Sequence, residues 1–267
     1  MQPDPPDLTV SKYVAGLQGQ PRYTFTSAEA AVATGRSPAA LRSAFRRLQE
    51  KVRLATPRQG FHVIVPIEHQ AVQAPPVTWF IHDLMAYLGQ PYYVGLLSAA
   101  ELHGAAHQRP LVFQVVTDRP VRAIRVGRER IVFVTKQAVA SVPVMQMKTQ
   151  TGYFRVSGPE ATAFDLVKYL RSAGGLDNVA TVLTELAPVM RARSLVELAR
   201  PEERVAVQRL GYLLELVHHD ALAAVLEREL RQRPGAWVPL QPGASRAGAS
   251  RNTRWSLLIN TSVEADL

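Results

Sequence analysis

The sequence predicts an α+β fold in two parts, and three of its features support this prediction. The first 66 residues contain short capped helices followed by a β-type hairpin. Residues 111–156 contain several β-type runs separated by turn residues, which predict a mainly antiparallel sheet. From residue 157 onward, apolar residues recur mostly at helical spacing. We therefore expect an N-terminal domain over 1–66, a polar, Pro-ending linker over 67–76, and a C-terminal domain over 77–267 with a sheet and several helices.

The clearest local pattern is a pair of short helices on either side of Gly35. Thr26 can cap the first helix, because Glu29 follows three residues later at the capping-box spacing. Ser37 can cap the second helix, and Pro38 takes its first position, where the missing N–H costs nothing. The second helix has one apolar stripe, made of Leu41, Ala44, Phe45, Leu48 and Val52.

A hairpin follows this helix pair. Its two β-type runs are Val52 to Thr56 and Phe61 to Val65, and the turn Pro57-Arg58-Gln59-Gly60 joins them. An earlier helix over Leu8 to Leu17 is expected to pack behind the pair. This order of elements is that of a winged helix-turn-helix domain, whose second helix fits the major groove of duplex DNA.

The polar face of the second helix is basic, which predicts that this domain binds duplex DNA. From Arg36 to Arg58 the chain has seven Arg or Lys residues and one acidic residue, Glu50. Arg can read guanine and Ser is adaptable, so the expected base contacts are Arg36, Ser37, Arg42, Ser43 and Arg46. Phosphate contacts are expected from Arg47, Lys51, Arg58 and His62, and Gln59 in the hairpin turn completes the set. The alternative is a solvated face of a small helical domain.

Composition and charge agree with a soluble, DNA-binding protein. Apolar residues make up 47% and charged residues 20% of the chain, and the net charge is +9. Residues 1–66 hold a net +5, so the basic excess is densest there. The absence of cysteine excludes disulfides and thiolate chemistry. No apolar run approaches a membrane span, and the first residues do not resemble a secretory signal, so we expect a cytoplasmic protein.

The remaining elements follow from periodicity and turn residues. Helices are expected over Trp79–Leu88 and Tyr92–His103, followed by strands over Leu111–Thr117, Val121–Val126, Arg130–Val134, Val142–Lys148 and Tyr153–Val156. Further helices are expected over Ser157–Leu170, Leu176–Leu186, Arg193–Ala199, Glu202–Val217 and Asp220–Arg231. A mobile loop over Pro239–Asn252 and a final strand over Trp255–Asn260, returning to the sheet, complete the prediction.

We expect no catalytic, metal or cofactor site. The chain has no phosphate-cradling G-x-x-x-x-G-K, no dinucleotide G-x-G-x-x-G and no G-x-S-x-G nucleophile turn. His103 and His107 are four residues apart, but Gly104 interrupts the helix between them. Glu160 and Asp165, five residues apart on a helix, point in different directions. These residues, and the turn His218-His219-Asp220, are interpreted as structural.

Four stretches together resemble the AbiEi family, the antitoxins of type IV abortive-infection toxin–antitoxin systems. They are YYVGLLSAAELHG from Tyr92, QVVTDRP, RVSGPEATAFDLV from Arg155, and RWSLLIN from Arg254. Family members also carry an N-terminal winged helix. The chain departs from the family pattern by an inserted Gly158 and by an Arg- and Ser-rich loop near its end.

The resemblance implies two activities. The N-terminal domain would bind inverted repeats in the promoter of its own operon and repress it. The C-terminal domain would counteract a nucleotidyltransferase-like toxin, without needing a stable complex with it, and so serve phage defence. Two alternatives remain open: a winged-helix transcriptional regulator whose C-terminal domain binds a ligand or dimerises, and an enzyme that acts on nucleic acid through Glu160, Asp165 or the histidine pair. The sequence does not decide between a monomer and a dimer.

Overall fold

The computed structural model describes residues 8–105 and 110–265, and its α+β class confirms the predicted class. The N-terminal elements are α1 (Val10–Gln18), β1 (Thr24–Thr26), α2 (Ser27–Thr34), α3 (Pro38–Glu50), β2 (Leu54–Arg58) and β3 (Phe61–Ile64). The predicted first helix and both predicted hairpin strands agree with the structure within two residues at each end, because caps and apolar spacing are local signals. Strand β2 extends through Arg58, so the hairpin turn is confined to Gln59 and Gly60.

A small apolar core holds the N-terminal helices on their sheet. Val14 and Leu17 of α1 are buried together with Leu41, Phe45 and Leu48 of α3. The sheet has the strand order β1-β3-β2, and both of its strand pairs are antiparallel. The sequence did not predict β1, because a three-residue strand has no detectable alternation and forms only through its pairing with β3. This core fixes the orientation of α3 on the sheet.

The middle of the chain forms a six-stranded mixed sheet. The elements are α4 (Ile81–Leu88), β4 (Tyr92–Val94), α5 (Leu96–Leu102), β5 (Phe113–Thr117), β6 (Ile124–Val126), β7 (Glu129–Thr135), β8 (Val144–Thr149) and β9 (Gly152–Ser157). The strand order is β6-β7-β5-β4-β9-β8. Pairs β5/β7 and β4/β9 are parallel and β6/β7 is antiparallel, whereas the sequence predicted a mainly antiparallel sheet.

The segment Tyr92–His103 is a strand and a helix, and the prediction of one continuous helix was wrong. Tyr92–Val94 forms β4, whose Val94 pairs with Val156 of β9, and only Leu96–Leu102 is helical. All three β4 residues are buried. A short, fully buried strand gives a continuous apolar run, which periodicity alone does not distinguish from a buried helix.

The last third of the chain is mainly helical. Its elements are α6 (Pro159–Lys168), α7 (Leu176–Leu186), α8 (Ala192–Ala199), α9 (Arg204–Leu216), α10 (Asp220–Arg231), β10 (Val238–Pro239), β11 (Ser250–Asn252) and β12 (Leu257–Ile259). Every residue from Glu160 to Val167 of α6 is buried, which marks α6 as the central helix of this part. The final strand β12 pairs with β10 and β11 in a separate three-stranded sheet, so its predicted return to the main sheet was wrong.

The chain divides into two compact units. One unit comprises the residues up to Tyr93 with Leu111–Ser141 and Gln146–Arg155, and the other comprises Val94–Pro110, Val142–Met145 and Val156–Leu267. The expected linker, 67–76, contains a 3-10 helix at Ile67–His69 and belongs to the first unit. The domain boundaries at 66 and 77 stay a prediction. Among the described residues, no helix is both long and apolar enough to cross a membrane.

Candidate nucleic-acid interface

Helix α3 is positioned by the caps that the sequence predicted. The Thr26 hydroxyl accepts a hydrogen bond from the Glu29 backbone N–H at 3.1 Å, and the Glu29 carboxylate accepts one from the Thr26 N–H at 2.6 Å. Gly35 ends α2 with a left-handed φ of 63°. Ser37 then caps α3 by accepting from the Ala40 N–H at 3.3 Å. Since both ends of the turn are fixed, the direction in which α3 leaves α2 is fixed as well.

An ion pair reinforces the start of α2. The Arg22 guanidinium donates a hydrogen bond to the Glu29 carboxylate, and the Thr26 backbone N–H donates to the same carboxylate. Partial burial alone would raise the pKa of Glu29, but these hydrogen bonds outweigh it and the net effect is a lowered pKa. Arg22 therefore stabilises the start of α2 and is not part of the exposed basic face of α3.

The side of α3 that faces away from the core presents the predicted base-reading residues. Arg42, Ser43, Arg46 and Arg47 are all exposed. The only carboxylate on this helix, Glu50, lies 3.7 Å from the Arg46 Nε, and these two side chains are 65% and 76% exposed. A pair this exposed is worth little and can be exchanged for a phosphate or base contact. Ser37 is exposed just before the helix, and Arg36 is half-buried.

One flank of α3 forms the wall of an open groove. Arg36, Arg47, Lys51 and Arg53 line this groove, which we term the basic groove, together with the small residues Ala40 and Ala44. The start of α1, from its N-cap Thr9 to Ser11, also lines the groove. The sequence pattern did not single out Arg53, although it belongs to the predicted basic run; its place in the groove depends on the turn between α3 and β2.

His62 does not face solvent, so its predicted contact with phosphate was wrong. Its side chain is 4% exposed and packs against the rings of Phe25 and Phe45, at centroid distances of 5.1 and 4.3 Å. Its Nε2 lies 2.9 Å from the Ser27 hydroxyl, and its Nδ1 lies 3.0 Å from the Thr56 hydroxyl. Burial lowers the pKa of His62 to about 4. A neutral imidazole in the core stabilises this domain and offers DNA no charge.

The other two hairpin candidates differ from each other. Arg58 is half-buried, and its Nη2 donates to the backbone carbonyl of Arg122 at 3.0 Å. The side chain of Gln59 is exposed, while its backbone carbonyl accepts from the Tyr87 hydroxyl at 2.8 Å. Seven of the ten predicted residues therefore lie on α3 or directly beside its ends, and the other three lie in the hairpin.

The acidic and histidine residues considered for chemistry have structural partners. His103 Nε2 lies 2.7 Å from the Ser157 carbonyl, while His107 lies outside the described residues. The Glu160 carboxylate accepts from the Arg191 backbone N–H at 2.6 Å, and Asp165 is fully buried in α6. Within residues 8–105 and 110–265, no group of three or more His, Asp or Glu side chains could hold a metal ion.

Comparisons with known proteins concern the C-terminal part and the fold. Residues 93–216 match the family model described as the AbiEi antitoxin C-terminal domain. The chain is also similar to the crystal structure of the RV2827C protein from Mycobacterium tuberculosis, with 18% sequence identity and a TM-score of 0.67. That similarity covers 93% of this chain and 90% of the other, and at this identity it shows a shared fold alone. No curated protein matches the chain.

Proposed function

Because residues 93–216 match the model of the AbiEi antitoxin C-terminal domain, we propose that this chain is a DNA-binding antitoxin that represses its own operon. The observation that supports the DNA-binding half is the capped α3 helix, whose exposed face carries Arg42, Arg46 and Arg47. Helices of this kind enter the major groove, where Arg side chains read guanine and contact phosphate. The ligand would be double-stranded DNA with inverted repeats in the operon's promoter.

The antitoxin half of the proposal rests on the C-terminal family domain. In a type IV system the antitoxin opposes the effect of the toxin and needs no stable complex with it. We propose that the toxin is nucleotidyltransferase-like, that the pair acts in the cytoplasm, and that it serves phage defence. The chain itself would act by binding rather than by catalysis, and it would use no cofactor.

The experiment that tests the DNA-binding half is a binding titration of the full chain. The duplex is the DNA immediately upstream of its own gene, and a scrambled duplex of equal length is the competitor. We expect selective binding that weakens as salt rises, because phosphate contacts release counterions. Equal binding to both duplexes would leave α3 a non-specific electrostatic surface and would contradict the repressor role.

Three variants make this titration specific to α3. Arg42→Ala and Arg46→Ala should each reduce the preference for the upstream duplex by roughly tenfold, since a bidentate base contact is worth about 1–3 kcal/mol of discrimination. Arg193→Ala is the matched control, because Arg193 is also a helical arginine, its side chain is 91% exposed, and it also pairs with a glutamate four residues away. It should bind both duplexes as the wild type does.

A further inference from the structure

The tip of the hairpin is covered by other parts of the first unit. We term residues 54–64, which comprise β2, β3 and their turn, the wing. At its tip the Tyr87 hydroxyl of α4 donates to the Gln59 carbonyl at 2.8 Å. The Tyr87 ring also packs on Phe61, with centroids 5.3 Å apart. A Cβ placed on Gly60, whose φ is 81°, would lie only 2.6 Å from the Tyr87 hydroxyl oxygen.

The polar groups of the wing are largely used inside the protein. The Gly60 carbonyl accepts from the Ser27 backbone N–H at 2.9 Å, so the turn is tied to the start of α2. Arg58 is the one cation of the wing, and its guanidinium donates to the Arg122 carbonyl near β6. His62 is buried and neutral. Cations of a hairpin contact DNA phosphates, and in this wing the single arginine already donates to a backbone carbonyl of the protein.

The basic groove has the opposite character. It follows one flank of α3, from Arg36 just before the helix to Lys51 at its end, and the 13 residues of α3 span about 20 Å at 1.5 Å per residue. Arg47 and Lys51 are exposed, and Arg53 is half-buried beside them. The lining also includes the small residues Ala40 and Ala44 of α3, whose side chains take up little space beside the cations. Among the residues that the structure describes, four cations and no carboxylate line the groove.

We infer that the basic groove, and not the wing, is the second DNA-contacting surface of this domain and that it holds one strand of the duplex backbone. This inference rests on the proposed DNA binding by α3 and specifies how the duplex is held. With the outer face of α3 in the major groove, the flanking phosphates of one strand meet Arg47, Lys51 and Arg53. Contacts of this kind set register and affinity but carry no sequence information.

The test compares the salt dependence of two double variants of the full chain. Lys51→Ala with Arg53→Ala removes two groove cations, and Arg58→Met with Gln59→Ala alters the wing while keeping the arginine stem. Each lost phosphate contact lowers the slope of log affinity against log salt by about 0.9. We expect the groove variant to lose about two units of slope and to weaken both duplexes by the same factor. The wing variant should keep the wild-type slope.

A charge-preserving variant separates binding from folding. Lys51→Arg with Arg53→Lys keeps both cations and should retain the wild-type slope, and the thermal unfolding of each variant shows that its domain is folded. An unchanged slope in the folded groove variant would overturn the inference, and so would an equal loss of slope in the wing variant.

The outcomes also distinguish this inference from the proposed function. If the wild type selects its upstream duplex and Arg42→Ala reduces that selection, the proposed function stands whatever the groove variant does. If the wild type binds both duplexes equally, the repressor role fails, while the slopes still decide between groove and wing. The absence of any binding by the wild type would overturn both.

Discussion

At the scale of single residues, His62 shows how a basic side chain can lose its expected role. Its sequence position, in a hairpin after a basic helix, predicted exposure and phosphate contact. Its burial results from Phe25 on β1 and Phe45 on α3, which lie 37 and 17 residues earlier in the chain. Gln49 donates to the Thr56 hydroxyl, which lies beside the imidazole. These contacts join distant elements, so no local sequence pattern reports them.

The buried imidazole predicts a pH dependence of stability. The folded pKa of His62 is lowered to about 4 from an ordinary value of 6.5, so the unfolded chain binds the proton first as pH falls. Stability is therefore full above about pH 6.5 and is lost as pH falls toward 4, by about 2 kcal/mol between pH 7 and pH 5.

Urea unfolding at pH 7 and pH 5 measures this loss. His62→Gln has no titrating group, so its free energy of unfolding should fall by about 2 kcal/mol less than that of the wild type over the same interval. The pKa of the Glu29 carboxyl is lowered, so its contribution to stability is lost only at more acidic pH. The change between pH 7 and pH 5 therefore reports His62. Equal falls in the two proteins would contradict a neutral, buried His62.

At the scale of elements, the sequence predicted the helices whose caps and apolar spacing lie within the element itself. The capping box at Thr26, the left-handed Gly35 and the Ser37 cap gave α2 and α3 correctly, and α7 and α10 have the predicted bounds. The short strands β1 and β4 were missed because each forms through a partner far along the chain, β3 and β9 respectively. Strand pairing across such distances depends on burial and not on propensity.

Two helical glycines give a paired prediction. A methyl group on Gly211 of α9 would meet the ring of the fully buried Trp255 at 2.0 Å, whereas one on Gly16 of α1 would meet nothing within 4 Å. Gly211→Ala should therefore lower the free energy of unfolding by roughly 2 kcal/mol through overpacking. Gly16→Ala should raise it by up to about 1 kcal/mol, because Ala favours helix.

Thermal or urea unfolding of the two variants checks this pair. The contrast isolates packing, since the intrinsic helix preference favours Ala at both positions. A stabilised Gly211→Ala protein would mean that the C-terminal segment before β12 does not pack on α9. A destabilised Gly16→Ala protein would show instead that the open side of α1 has a partner.

At the scale of the whole molecule, the resemblance to the AbiEi family was confirmed, while the DNA contacts remain a proposal. The four stretches that indicated the family were recognisable because each is a short run of consecutive residues, which can be read from the sequence alone. The arrangement of the wing was not predictable, because it depends on Tyr87 of α4 and on the carbonyl of Arg122. We therefore propose that α3 carries repression and that the matched C-terminal region, residues 93–216, carries the antitoxin activity.

The measurement that tests this division most directly records repression and protection in the same cells. An operon-promoter reporter measures repression, and growth during expression of the operon's toxin measures protection. The variant with Arg42→Ala and Arg46→Ala should lose repression, because its base contacts are gone, and should protect as well as the wild type. A stably folded variant that loses protection together with repression, or that still represses, would contradict the account.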